Sequence, residues 1–344
     1  MATIKDIAKK LGISPATVSK GLNGASDISE KMRQSVLDAA VELGYKPKSL
    51  QGKVKRRICI MVEDMSYENV DQFGYEIISG FEQAAVRNNY EVTIVPTNLS
   101  MQTRAGLKTQ TGSREKYDTY MLKNGYSGAF LLGFRLHDDY LKQLNNTKVP
   151  TALLDNYIED NPFVGYVGTD NFEGMKGVVN HLAAKGHRRI AMLCGNQDSM
   201  ITERRLNAYK HFMWVNKIDL DLDLIAYGDY HVDCAPLYVP HFLEKGATAI
   251  ICASDFIASG VIKQLYNMGK KVPEDLSVTG YDDLPLARYL TPALTTVRQN
   301  RVDLGKSAFI LVDSLIKGVP ISRIEMRPAF VERDSTGCVS SYIR

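Results

Sequence analysis

The chain has 344 residues, 44% hydrophobic and 24% charged, an ordinary globular composition with room for two or three domains. The net charge of +3 is unevenly placed: residues 1–57 hold 12 Lys/Arg against 5 Asp/Glu, a local +7 that leaves −4 for the rest. A small basic head on a mildly acidic body is the footprint of a nucleic-acid module joined to something else. The five cysteines are odd in number and form no C-x-x-C, which argues against a disulfide framework or zinc site and for a reducing cytoplasm. The N-terminus carries no secretory apolar run, and no segment approaches membrane-spanning length.

The first predicted element is a short helix from Ile4. Thr3 can cap it, and Asp6 sits where a capping-box carboxylate belongs. Ile4, Ile7, Ala8 and Leu11 recur at helical spacing, and Gly12 supplies a stop. Ser14 can cap again and Pro15 suits the first helical position, so a second helix runs to about Leu22. Only a tight turn separates the two, which is the spacing of a helix-turn-helix. Val18 and Leu22 face inward, leaving Ala16, Thr17, Ser19, Lys20 and Asn23 outside. Small polar side chains there let a helix approach base edges, and Lys20 adds a charged donor. Ser29 caps a third helix over 30–43, with Met32, Val36, Ala39, Ala40 and Leu43 on one face and Gly44 as its stop. Lys46-Pro47 then breaks the helix, and 48–57 is a basic linker. Gly52 in its middle would cost a helix about 1 kcal/mol relative to alanine.

From Ile58 the pattern changes to short apolar strands alternating with helices. Strands are predicted at 58–62, 92–95, 129–132, 152–154, 164–167, 190–193, 224–227, 249–252 and 277–280, and helices at 75–88, 172–185, 203–215 and 257–268. Such a series predicts an α/β body of two doubly wound parallel-sheet subdomains. The polar stretch 99–114 is expected as a surface loop. Cys59, Cys194 and Cys252 fall inside apolar strands and are expected as plain core residues.

The head resembles the lactose-repressor (LacI/GalR) family almost position by position. The resemblance runs from T-I-K-D-I-A-x-x-L-G-I-S-x-A-T-V-S-K-x-L-N through I-S-E-K-M-R-Q-S-V-L-D-A-A-V-E-L-G-Y-K-P. The body resembles the same family's periplasmic-binding-protein-like core in V-G-T-D-N, L-A-A-K-G-H-R-R-I-A, V-P-E-D-L-S-V-T-G-Y-D-D, L-T-P-A-L-T-T-V-R-Q and E-R-D-S-T. The resemblance implies a helix-turn-helix domain at 1–46, a hinge at 47–57 and an effector-binding core at 58–344. Within that core it implies one subdomain of about 58–156 plus 284–313 and another of about 157–283 plus 314–340. The three crossings are expected near 155–163, 283–285 and 311–316.

It further implies contacts to double-stranded operator DNA at Thr3, Ser14, Pro15, Ala16, Thr17, Ser19, Lys20, Asn23, Ser29 and Tyr45, and in the hinge at Leu50, Lys53 and Val54. Leu50 or Val54 would be the apolar wedge in the minor groove, although the family's usual hinge pattern is missing here. Ligands in such folds bind at the C-terminal ends of strands. The effector candidates are therefore Asp155, Ser254, Asp255 and Asp282, together with Arg205 and the aromatic Phe73. Asp282 matches the family's ligand carboxylate in G-Y-D-D and Arg205 its arginine; Arg204 is expected to form the surface ion pair instead. Asp255 is as readily a turn or cap residue as a ligand. Where the family often has Asn-Asp, this chain has Ser254-Asp255, which should alter the effector that fits. Trp214 is assigned to core or interface.

The expected function is a cytoplasmic, dimeric transcription regulator, a repressor controlled by a small effector, a sugar or sugar derivative. A carbohydrate transporter's solute-binding protein is the alternative that the core alone would allow. No G-x-G-x-x-G follows the first strand, no phosphate-binding G-x-x-x-x-G-K-[ST] occurs, and no catalytic constellation can be assembled. Neither an enzyme nor a cofactor is expected.

Overall fold

The computed structural model describes residues 2–25, 27–45, 55–70, 72–97 and 116–339. Leu50, Lys53, Val54 and the stretch 99–114 lie outside the described residues.

The head is three helices, α1 (Ile4–Leu11), α2 (Pro15–Asn23) and α3 (Glu30–Glu42). Its boundaries are set by the residues that the sequence nominates. Thr3 N–H donates to Asp6 Oδ2 at 2.7 Å while Asp6 N–H donates to Thr3 Oγ1 at 3.4 Å, which closes the capping box. Gly12 ends α1 at φ 67°, a left-handed conformation that glycine adopts without a Cβ clash. Ser14 Oγ accepts from Thr17 N–H at 3.1 Å, and Ser29 Oγ accepts from Met32 N–H at 3.3 Å. Ile7, Val18, Val36 and Ala40 form the fully buried centre, with Ile4, Leu11, Leu22, Met32, Leu43 and Tyr45 packed around it. A Cβ on Gly21 would lie 3.1 Å from the Val36 side chain, so this glycine sets how closely α2 approaches α3.

The body contains a six-stranded and a four-stranded sheet. The larger is built from β1 (Arg56–Val62), β2 (Tyr90–Pro96), β3 (Tyr126–Leu132), β4 (Thr151–Leu154), β5 (Val164–Thr169) and a late strand, Arg323–Met326. Their order is late strand–β5–β4–β3–β1–β2. The strand pairs from β2 across to β5 are parallel. The smaller sheet has β6 (Ile190–Cys194), β7 (Ile225–Tyr227), β8 (Ala249–Cys252) and β9 (Ser277–Thr279) in the order β7-β6-β8-β9, again parallel. Alternation along these strands fills both faces. Ala191, Leu193, Ile250, Cys252 and Val278 join one buried cluster, and Ile190, Met192, Cys194, Ala249 and Ile251 join the other. Cys59, Cys194 and Cys252 are buried free thiols, and burial pushes the Cys194 thiol up to about 12. Two further strands, β10 (Thr296–Arg298) and the last one, Ala329–Val331, pair antiparallel.

The chain divides into two compact units. Unit 1 holds the head and β1 up to Met65, Ile78–Val167 and Gly305–Ile324; unit 2 holds Ser66–Ile77, Gly168–Leu304 and the chain from Glu325. The exchanges after Val167, Leu304 and Ile324 fall further along the chain than the crossings expected at 155–163, 283–285 and 311–316, and the excursion of Ser66–Ile77 has no counterpart among those expectations. Strand 164–169 pairs residue by residue with β4, from Thr151↔Val164 to Leu154↔Val167, and so closes the first sheet instead of opening the second. Two helices straddle the division: α4 (Phe73–Arg87) starts in unit 2 and continues in unit 1, as does Arg301–Ile316. Among the described residues, no helix is long and apolar enough to cross a membrane, and no group of three or more His, Cys, Asp or Glu could hold a metal ion.

Candidate functional site

The outer face of α2 is the candidate reading surface. Ala16, Lys20 and Asn23 are exposed, and Thr17 and Ser19 are half-exposed beside them. Asn23 Nδ2 donates to Ser19 Oγ at 3.3 Å, which orders two polar side chains on that face. Lys20 is ion-paired with Asp27. Base contact by Lys20 therefore requires exchange of this partner, which costs little at an exposed site. Thr3, Ser14 and Ser29 spend their hydroxyls on helix caps, leaving the backbone N-termini beside them available to phosphate. Tyr45 is half-buried against the head core, and burial raises its phenol. Lys20→Ala is expected to weaken operator binding by about 1–3 kcal/mol and to relax one base position. Titration of operator variants measures this, and an equal loss on random DNA would reduce Lys20 to a phosphate contact.

The effector candidates of unit 2 converge around one buried arginine. Arg205 lies on the helix Met200–Val215 and is 3% exposed. Its Nε donates to Asn171 Oδ1 at 2.8 Å and its Nη1 to the Ala253 carbonyl at 2.5 Å. Nη2 stands 4.0 Å from Asp282 Oδ1, and the guanidinium carbon lies 3.6 Å from the Tyr281 ring centroid, a cation–π contact. Arg204, one residue earlier, bonds Glu325 at 3.0 Å, as the sequence assigns.

Asp282 follows β9 with φ 113°, and Asp283 has φ 51°. Two successive non-glycine residues at positive φ are strained and need to be held from outside. Gln299 Nε2 donates to Asp282 Oδ1 at 2.7 Å, Asp282 N–H donates to the Val297 carbonyl at 2.8 Å, and Arg301 Nη1 donates to the Asp282 carbonyl at 2.6 Å. Asp283 is gripped by Arg298 at 2.7 Å and Arg333 at 2.5 Å; burial raises its carboxyl, but these two hydrogen bonds outweigh it and hold the group below the usual range. Burial pushes Asp282 the other way, up to about 6, against the pull of Arg205, Gln299 and Arg301.

Asp255 lies beside Asp282, fully buried, and burial together with the Asp282 charge drives its carboxyl well above the ordinary range. Its Oδ2 accepts from Leu284 N–H at 2.7 Å and its Oδ1 from Thr296 Oγ1 at 2.6 Å, so it fastens the loop that carries Asp282. Ser254 caps the helix Asp255–Asn267, accepting from Ile257 N–H at 3.2 Å. Ser254 thus takes a cap role that the sequence did not weigh for it, whereas Asp255 bonds distant residues and does not cap its own helix. Asp155 is in unit 1, with φ 54° and its N–H bonded to the Val167 carbonyl. Phe73 opens α4, in the segment that belongs to unit 2. Trp214 is 75% exposed, which removes the core reading for it.

Asn171, Tyr230, Tyr281, Gln299 and Arg301 escaped the sequence reading. Asn171 and Gln299 sit inside quoted motifs at strand ends, where a polar side chain is the signal. Tyr230 has no such signal. It lies in a loop with φ 62°, its hydroxyl 3.2 Å from Thr202 one turn before Arg205 on the same helix. A Cβ on Gly195 would stand 2.0 Å from the Tyr230 ring, so only glycine leaves the ring this place. Gly195→Ala is expected to destabilise the fold by about 1–3 kcal/mol through overpacking. In a Tyr230→Ala background the same substitution should cost much less in thermal unfolding, because the ring it would meet is gone.

Comparison with known proteins gives the family. Residues 3–48 match the family model of bacterial regulatory proteins, lacI family, and residues 179–336 match a periplasmic binding protein-like domain. The HTH-type transcriptional repressor CytR of Escherichia coli (strain K12) is 31% identical over 324 residues, covering 92% of this chain and 90% of that protein. The ribose operon repressor of Haemophilus influenzae is 30% identical, covering 93% and 92%. Among solved structures, a complex of the transcriptional regulator CelR with cellobiose superposes with a TM-score of 0.69 at 25% identity, covering 97% of this chain and 100% of that one. The lac repressor dimer bound to operator and the anti-inducer ONPF has a TM-score of 0.68 at 24% identity, covering 98% and 99%. With a helix-turn-helix head on a two-unit parallel-sheet core, and relatives of this identity along nearly its whole length, the chain belongs to the LacI family of bacterial transcriptional repressors.

Proposed function

We propose that the protein acts in the cytoplasm as a homodimer whose two heads occupy the half-sites of a pseudo-palindromic operator. A sugar or sugar derivative, bound at Arg205 and Asp282, changes the affinity for that operator. The observation that carries this reading is the pairing of a buried guanidinium with a buried, strained carboxylate at the C-terminal ends of parallel strands. Together they offer fixed donors and an acceptor to vicinal hydroxyls, and the Tyr281 ring stands against the same guanidinium. Relatives named for the ribose operon and for cellobiose support a carbohydrate, and a relative that binds operator as a dimer supports the assembly. Ala16, Thr17, Ser19, Lys20 and Asn23 would read bases from α2, with Thr3, Ser14, Pro15, Ser29 and Tyr45 at phosphates. The hinge contacts stay as the sequence assigns them.

A gel shift on the gene's upstream DNA at two salt concentrations tests the first half. Specific retention that survives the higher salt supports operator recognition, and loss equal to that on random DNA overturns it. A thermal-shift panel of sugars and nucleosides tests the second half. A hit whose stabilisation disappears in Asp282→Ala supports the site, and a hit that persists there removes Asp282 from it.

A further inference from the structure

Residues 1–57 carry five acids, and four of them serve the fold of the head. Asp6 closes the capping box of α1, Asp38 accepts from Gln34 Nε2 at 3.0 Å, Glu42 is ion-paired with Lys10, and Glu30 opens α3 at 4.0 Å from Arg33. Asp27 is placed differently. The chain leaves α2 through Gly24 at φ 68°, where Ala25 N–H donates to the Lys20 carbonyl at 3.1 Å, and Ser29 caps the start of α3. Asp27 stands in the turn between them, and its carboxylate reaches back to the Lys20 ammonium on the outer face of α2. Both side chains are exposed. The hydrogen bond from Lys20 holds the Asp27 carboxyl below the usual carboxylate range, so the group is charged at neutral pH. On the reading face of a head with a local charge of +7, a carboxylate opposes phosphate. Attraction to the DNA backbone gives no reason for it.

We propose that Lys20 and Asp27 together read one G·C base pair in one orientation, Lys20 donating to guanine and Asp27 accepting from the cytosine amino group. This rests on the reading of α2 as the helix that faces the base edges. Guanine O6 and cytosine N4 are bonded to each other within the pair, so the groove edge presents an acceptor beside a donor. The ion pair is a donor in contact with an acceptor, the complementary order. On binding, each partner exchanges the other for a base atom of the same character, and neither charge is left unpaired. An A·T pair in the same orientation puts adenine N6 in place of guanine O6 and thymine O4 in place of cytosine N4, so the ammonium meets a donor and the carboxylate an acceptor. A reversed C·G pair gives the same mismatch. A T·A pair keeps the order but sets the thymine methyl where guanine N7 would accept a second bond from Lys20. On a wrong sequence Lys20 can still turn to a phosphate, but Asp27 is then left unpaired in the field of the DNA backbone. Asp27 therefore penalises wrong sequences, which a lysine alone does not do.

The test selects binding sites from a pool of randomised DNA duplexes with the full chain as wild type, Lys20→Ala, Asp27→Ala and the double variant. Affinity for the selected wild-type site and for random duplex is measured alongside. The wild type is expected to enrich one orientation of G·C at one position of each half-site. Asp27→Ala should lower that preference roughly tenfold, at the same position that Lys20→Ala relaxes. The double variant should lose little more than either single one, because the two side chains act on one base pair. Affinity of Asp27→Ala for random duplex should rise, since a charge that opposes phosphate is gone. An Asp27→Ala protein that binds every sequence more tightly by one common factor, with its base preference intact, overturns the proposal. Relaxation at a position that Lys20→Ala leaves intact overturns it as well. A fall in thermal midpoint of Asp27→Ala with base preference unmoved would make the pair merely structural, with the same consequence. A wild type that enriches no sequence would instead overturn the reading of the head as an operator binder, and the proposal with it.

Discussion

Arg205→Ala is expected to abolish the effector response and to destabilise the core by about 3–5 kcal/mol, the usual cost of removing one member of a buried charged network. Several losses coincide at this position. Asn171 Oδ1 and the Ala253 carbonyl each lose a donor, and a buried acceptor without its donor costs about 1–3 kcal/mol. Tyr281 loses the cation on its ring. Asp282 loses the cation that does most to oppose the effect of burial on its carboxyl. Arg205→Lys separates charge from geometry. It keeps a positive group near Asp282 but cannot bond Asn171 and Ala253 with the same planar fork, so it should retain more stability than response. Thermal unfolding with and without the panel hit measures both quantities. A variant Arg205→Ala that unfolds within about 1 kcal/mol of wild type would mean that the site relaxes around the gap.

The parts of this molecule legible in the sequence are those fixed by local chemistry. Thr3–Asp6, Gly12, Ser14 and Ser29 act on neighbours within four residues, and the structure shows each cap where the spacing puts it. The buried strands were legible as well, because unbroken apolar runs have few other ways to be satisfied. Which sheet a strand joins was not. The strand at 164–169 reads the same in either half, and its pairing with β4 is a contact between segments that periodicity does not relate. Within the site, Asp282 and Arg205 could be nominated because strand ends and a family motif single them out. The side chains that make them work come from distant segments: Asn171 from the helix after β5, Gln299 and Arg301 from beyond β10, Tyr230 from an irregular loop. Asp255 and Ser254 show the converse. A polar residue after a strand is also where the next helix needs a cap, which engages Ser254, and a buried carboxylate there can fasten a distant loop, which engages Asp255.

Asp282→Asn is expected to weaken effector binding and, in the same chain, to raise thermal stability at pH 8. The side chain keeps its shape and its acceptor for Gln299, so what changes is the charge. Burial lifts the Asp282 carboxyl from 3.8 to about 6. A carboxyl raised in the folded state holds its proton more tightly there than in the unfolded chain. Its contribution is therefore fully present below the unfolded value of 3.8 and is lost as pH rises through about 6. The difference corresponds to about 3 kcal/mol above that window. Asn carries no such dependence, so the stability of Asp282→Asn should exceed that of wild type at pH 8 and converge with it towards pH 4. Asp255 shifts in the same direction, partly because of the Asp282 charge, so removing that charge should also flatten the slope that Asp255 adds. Equal pH dependence of unfolding in the two proteins would mean that Asp282 is solvated enough to ionise freely. If the divergence appears, Asp282 is a position where the fold bears a buried charge at the expense of its own stability, as binding sites commonly do. Addition of the hit from the panel at pH 8 should then stabilise the wild type and leave Asp282→Asn close to its unliganded midpoint.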